Sequence, residues 1–434
     1  METRGVSVRT MPHRRFRSRI ADAASLLGPS AWLCRLACLG AAMLGLAAGG
    51  FAPPNCHAQL PKTDPPRAWT MAQGQTFNAS LVDFDGTTAI FKMPNGARTQ
   101  APKTALSDAD QQYLDQWQAR QPIKFTMPDD VAVDAAHIKA EVVSEDDAAE
   151  KYVYRTDHFE FTTQGKFTLS LLRDVGRTFE ATYELLRQLP WGIDPHPPGG
   201  AYFKASLLKS QDEYLRAGGV PNSAGIYISR QQTFFAPFSS LGLKPSGKSF
   251  TKAGDYTADT VVHELTHELM HQWLNYLPNW IIEGTAEYTG NLPLKTGRFH
   301  VASAKTGLKD YTDFLKKRAV GGMPEPYPID KLFKITNREW GETLAQDPTA
   351  SHRMYFTSYL LVYYFMHLDG GGGAQRFVRF FREVDKMRKT GKYLNDAQKA
   401  KFDEDMLNIL LDGRTQDELM KQIRQSYQRF GIHL

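Results

Sequence analysis

The sequence predicts an α+β protein in which a small β module precedes a larger, mainly helical domain with a small mixed sheet. Three observations carry this. Residues 77–84 (FNASLVDF) and 88–93 (TAIFKM) read as strands, and the Asp85-Gly86 and Asn95-Gly96 pairs beside them are hairpin-turn signals. Residues 152–162 (YVYRTDHFEFT) alternate as one further strand. The stretch 168–189 then changes to helical spacing, with Leu169, Leu171, Leu172, Val175, Phe179, Tyr183 and Leu186 as its apolar face. From residue 255 onward the pattern is mostly helical.

Taken in order, the chain opens with a segment laid out like a secretory signal. Arg4, Arg9, Arg14, Arg15, Arg17 and Arg19 precede an apolar run at 36–51, and Cys56-His57-Ala58 offers a small-residue cleavage site. The run is shorter than the ~20 residues a membrane-spanning helix needs. Export, with cleavage near Ala58 and release to the periplasm or exterior, is therefore expected, with no stable membrane anchor. All three cysteines (Cys34, Cys38, Cys56) lie within residues 1–58, so the remainder has neither disulfides nor thiolate metal ligands.

Charge obeys the same division. Residues 1–58 hold seven arginines and two acids, which accounts for the whole net charge of +5. Residues 59–434 carry 45 basic and 45 acidic side chains, which speaks against a nucleic-acid-binding surface. The hydrophobic content of 42% over 434 residues suffices for a sizeable buried core.

Residues 59–66 (QLPKTDPP) are a proline-rich linker. The β module spans 67–120 and closes on Ser107-Asp108-Ala109-Asp110, a helix-start signal before 111–118. This segment resembles the Sla-type homology domain, a small SH3-like β-barrel. The resemblance implies a module that binds a protein or peptide partner; a plain structural appendage is the other reading. Residues 121–150 are polar, acidic toward their end, and read as a connector. The main domain is expected over 151–434, with further strands at 201–207, 224–228 and 233–236. Asp369 and the four glycines after it lack the Lys-Ser/Thr of a phosphate loop and read as a turn.

The chemistry concentrates in residues 261–288, VVHELTHELMHQWLNYLPNWIIEGTAEY. His-Glu-x-x-His occurs twice and overlaps, as HELTH from His263 and HELMH from His267. Residues four apart stack on one helix face, so two such imidazoles can grip one zinc ion. The glutamate after the first histidine is then placed to activate water. A helix is expected over 255–276, ended by Pro278, with a second helix from about Trp280 carrying Glu283. Two registers compete for the ligands. Fifteen residues separate His267 from Glu283, and eleven separate His271 from Glu283. The longer connection leaves about two helical turns beyond His267 for the chain to reverse, and favours His263, His267 and Glu283. In that register His271 is a helix residue near the site.

HELTH followed by LPxWIIEGxAEY resembles the peptidase MA-like gluzincins, which pair HExxH with a downstream W-x-x-E-G-x-A-E-Y. A third histidine at metzincin spacing is lacking. The resemblance implies a zincin-type metallopeptidase domain. His263, His267 and Glu283 would bind Zn2+, and Glu264 would be the general base against a peptide or protein substrate. Glu287, one turn after Glu283, either orients a zinc-bound imidazole or faces solvent. Residues 355–362 (YFTSYLLV) are similar to the tyrosine-bearing helix of neutral aminopeptidases. Tyr355 then stabilises the oxyanion, or Tyr355 and Tyr359 are core aromatics. The Gly-x-Met-Glu-Asn segment with which aminopeptidases hold a free amine is lacking, which favours an endopeptidase. The edge-strand candidate at 224–228 lacks its glutamate and could instead pair with an extended substrate. A rival function is a catalytically inert zinc scaffold whose N-terminal barrel binds the partner.

Overall fold

A computed structural model describes residues 65–121, 123–221, 223–246, 249–253, 256–318 and 325–434. They form a mixed α/β fold of several small sheets, divided into two compact units with the boundary near residue 122. The expected export segment at 1–58, and the linker as far as residue 64, lie outside the described residues.

The first unit is an antiparallel meander of β1 (Arg67–Thr70), β2 (Thr76–Phe84), β3 (Thr88–Lys92) and β4 (Arg98–Pro102), followed by α1 (Asp108–Arg120). The closed barrel expected here does not form, and no sheet among the described residues closes. The reason lies at the outer edge of β1. After β4 the chain makes a short 3-10 turn at Lys103–Ala105 and returns to β1 only through a single bridge between Met71 and Leu106. The Thr70 carbonyl accepts from the Ser107 N–H at 2.8 Å, and the Thr70 N–H donates to Asp110 Oδ2 at 2.7 Å. The start of α1 thus takes groups that a closing strand would need. Leu114 and Trp117 of α1 then complete a core with Trp69, Leu81 and Phe91.

The second unit begins within the stretch read as a connector. That stretch holds β5 (Asp130–Ala132) and β6 (Glu141–Asp146), each hydrogen-bonded into a sheet. The single strand expected at 152–162 is a hairpin, β7 (Lys151–Arg155) and β8 (Phe159–Thr163). No glycine or proline marks its turn, because a distant side chain holds it. Glu180 accepts the Thr156 hydroxyl at 2.6 Å and the His158 N–H at 3.0 Å on one oxygen, and His158 Nδ1 lies 2.6 Å from the other. Glu180 belongs to α2 (Leu169–Gln188), capped by the Thr168 hydroxyl. Phe179 of α2 meets Phe159 and Phe161 edge-on at 5.2 and 4.9 Å, seating the amphipathic helix on the sheet.

Next come β9 (Phe203–Leu208), α3 (Gln211–Arg216), β10 (Ile226–Ile228) and β11 (Thr233–Pro237). The six-stranded sheet runs β10-β11-β9-β8-β7-β6. Its central pairs, β11–β9 and β9–β8, are parallel and the outer pairs antiparallel, so β10 is an edge strand. A hairpin of β12 (Leu243–Ser246) and β13 (Ser249–Lys252) leads to α4 (Asp259–Leu269) and α5 (Asn279–Gly290). Two short strands, β14 (Leu294–Lys295) and β15 (Arg298–His300), join β5 in a third sheet of this unit. Helices complete it: α6 (Ala304–Arg318), α7 (Ile329–Leu332), α8 (Asn337–Gln346), α9 (Pro348–His367), α10 (Gln375–Lys389), α11 (Asp396–Leu411) and α12 (Gln416–Gln428). The glycine run after Asp369 is a turn, with Arg376 and Arg414 each donating to the Asp369 carboxylate at 2.9 Å. Among the described residues no helix is long and apolar enough to cross a membrane.

Candidate metal centre

α4 is shorter than its sequence suggests. The expected helix through residue 276 ends at Leu269, two residues past His267, and residues 270–276 form successive turns. Met270 departs from helical geometry at φ −93°, ψ 10°, and the Trp273 N–H bonds back to the Met270 carbonyl at 2.7 Å. Burial of Met270, Trp273 and Leu277 holds these turns against the core. The chain therefore reverses through turns rather than after two further turns of helix, and α5 begins at Asn279.

The two helices are drawn together by small residues. Thr266 and Thr289 share a hydroxyl contact at 2.7 Å. A Cβ at Gly290 would stand 2.7 Å from the Asp259 carbonyl oxygen, so the backbones approach where no larger residue fits. This places Glu283 of α5 opposite the histidines of α4. His263 Nε2 and His267 Nε2 lie 3.1 Å apart, and each is 3.4 Å from Glu283 Oε2. These residues are all buried, and they are the group of potential ligands found among the described residues.

The triangle itself tests the fit. Zinc bonds nitrogen and carboxylate oxygen at about 2.0–2.2 Å in tetrahedral array, which sets neighbouring ligand atoms about 3.3–3.5 Å apart. The observed separations of 3.1 and 3.4 Å come close to that spacing, and three ligands leave a fourth position. The electrostatics also favour a cation. Burial resists ionisation of Glu283, but the charge and N–H groups of His267 and His263 outweigh it and hold its carboxyl well below the usual range. Burial likewise opposes a charged His267, yet Glu283, then Glu264 and Glu287, raise its pKa. Two imidazoles and three carboxylates packed away from water stabilise positive charge between them.

The surrounding residues take distinct places. The Tyr227 N–H, on edge strand β10, donates to Glu264 Oε2 at 3.4 Å, so the glutamate lies between the histidines and the sheet edge. Glu287 is fully buried rather than solvent-facing, its Oε1 3.5 Å from His263 Nδ1. The Tyr355 ring lies 6.4 Å from the His263 ring and 6.0 Å from Trp340 of α8. Tyr359 instead packs among Tyr311 and Tyr363. Gly284 lets α9 come this close, because a Cβ there would stand 2.5 Å from the Ser358 carbonyl oxygen.

His271 is not brought to the centre. It lies in the turns after α4, its Nδ1 3.2 Å from the Glu268 carbonyl and its ring 6.3 Å from Phe203 of β9. Burial lowers its pKa. Glu268, the glutamate of the second overlapping pattern, faces inward; burial pushes its carboxyl well above the ordinary range, opposed by the Lys204 N–H. Sequence reasoning did not single out Tyr227 for its N–H, the Thr266–Thr289 contact, or Asn291, whose amide donates to Glu287 Oε2 at 3.1 Å. Of these only Asn291 carried a local signal, as a helix-ending asparagine. No family model, curated protein or solved structure matches the chain, so the chemistry of this centre carries the functional reading.

Proposed function

We propose that the chain is an exported zinc-dependent peptidase of gluzincin type, acting on peptide or protein substrates as an endopeptidase. The observation that carries this is the buried triangle of His263, His267 and Glu283 at tetrahedral spacing, with Glu264 beside it on the same helix. His263, His267 and Glu283 would hold zinc, which supplies the Lewis acidity that makes water a competent nucleophile near neutral pH. Glu264 accepts the proton of the attacking water and delivers it to the leaving amine. Tyr355 donates to the oxyanion of the tetrahedral intermediate. Glu287 takes the Nδ1–H of His263 and so fixes its tautomer.

Substrate would add as an extended strand along the outer edge of β10, displacing the Tyr227 N–H contact to Glu264. That geometry suits internal segments of a chain. The N-terminal unit, whose described residues bring together no group of potential metal ligands, is read as a module for a protein partner. The test compares wild type with Glu264→Gln. Both should retain stoichiometric zinc, while cleavage of casein and a peptide library falls by about 10²–10⁴-fold in the variant. A zinc-loaded wild type that cleaves nothing in the library would overturn the assignment in favour of a binding scaffold.

A further inference from the structure

Asn291 follows the last residue of α5, and its side chain turns back onto that helix. Its Nδ2 donates to the main-chain oxygen of Glu287 at 2.8 Å and to Glu287 Oε2 at 3.1 Å. The other carboxylate oxygen, Oε1, lies 3.5 Å from His263 Nδ1. One oxygen of this buried carboxylate thus meets the asparagine amide, and the other faces the imidazole at 3.5 Å. Asn291 is itself held in place. Its N–H donates to the Glu287 carbonyl at 3.0 Å. A Cβ at Gly307 of α6 would stand 1.8 Å from the Asn291 carbonyl oxygen, so α6 approaches where only glycine fits. Ending the helix requires the N–H alone. The amide's reach to Oε2 is not needed for that, and it ties one carboxylate oxygen of Glu287 in place.

We propose that Asn291 is a positioning residue of the metal centre: it holds Glu287 so that Oε1 receives the Nδ1 proton of His263 and Nε2 keeps its lone pair toward His267 and Glu283. The inference rests on reading that centre as a metal site. It acts through Glu287, so its contribution must vanish when Glu287 is removed.

The test measures zinc affinity by chelator competition for wild type, Asn291→Leu, Glu287→Ala and the double variant. The visible spectra of the cobalt-loaded proteins and the melting temperatures of the metal-free proteins are recorded alongside. Asn291→Leu should weaken zinc binding about 10-fold and alter the cobalt spectrum, whereas in the Glu287→Ala background it should change affinity less than about 2-fold. Losses that multiply in the double variant would overturn the proposal. So would an Asn291→Leu protein that melts lower but binds zinc as tightly as wild type, since that marks a helix-capping role alone. Asn291→Ser, too short to reach Oε2, gives the same reading if the leucine variant does not fold. Wild type that retains no zinc sinks the metal reading together with this one; tight zinc binding unchanged by the substitutions sinks this one alone.

Discussion

Gly284 stands next to Glu283 on α5 and leaves room for the backbone of α9, so Gly284→Ala tests how the centre is built. The added Cβ would lie 2.5 Å from the Ser358 carbonyl oxygen, 2.6 Å from Val362 Cγ2 and 2.9 Å from the Ser358 carbonyl carbon. The first and last are helix backbone and cannot rotate away. To restore ordinary contact, α9 must withdraw by about 0.9 Å. Two effects compete. Alanine is favoured over glycine inside a helix by about 1 kcal/mol. Overpacking a core costs about 1–3 kcal/mol, and here the clash is with main chain, which places it toward the upper end. The clash wins by about 1–2 kcal/mol, lowering the melting temperature by about 2–4 °C. Zinc content should not change, because the three proposed ligands lie on α4 and α5. Tyr355, carried by α9 with its ring 6.4 Å from that of His263, should move with the helix. A displacement near 1 Å can cost about 10²-fold in rate, so peptide cleavage should fall by about 10–100-fold at full zinc occupancy. Calorimetry, metal analysis and cleavage kinetics on one preparation read all three. A variant that melts above wild type and cleaves as fast would refute the reasoning, because helix propensity would then have won and α9 would not press on Gly284.

Tyr355→Phe should lower kcat by about 10–100-fold and leave KM and zinc content alone, whereas Tyr359→Phe should not reduce turnover; steady-state kinetics on both separate a donor from a core aromatic. His271→Ala should keep its zinc, and His263→Ala and His267→Ala should lose it; a His271 variant that alone comes out metal-free contradicts the register. For His158, burial disfavours the imidazolium, but the hydrogen bond and charge of Glu180 outweigh it, so the folded pKa lies above the ordinary 6.5. Stability from that pair is complete below about pH 6.5 and lost as pH rises through the folded value, so the melting-point gap between wild type and His158→Gln should narrow upward from about pH 6.5. A gap that widens with pH would rule this out.

What the sequence discloses and what it hides divide along a physical line. The grouping of His263 and His267 was legible because residues one turn apart on a helix share a face, and that of Glu283 because chain length limits where the next helix can return. The path was misjudged: 270–277 contains no glycine or proline, and only burial of Met270, Trp273 and Leu277 turns it away from helix. The hairpin turn at 156–158 was hidden likewise, since Glu180, far along the chain, holds it. β6 was missed because all six of its residues are exposed, which leaves no alternation to read. Glu264 and Glu268 show the division most sharply. Both follow a histidine of an HExxH pattern, and both are buried on α4. Locally they are equivalent. One meets the N–H of an edge strand, beside the group of His263, His267 and Glu283. The other faces the main chain of a strand already paired on both sides, where burial drives its carboxyl toward the neutral form. A motif can nominate both glutamates as bases, but only the neighbours supplied by the rest of the fold tell them apart.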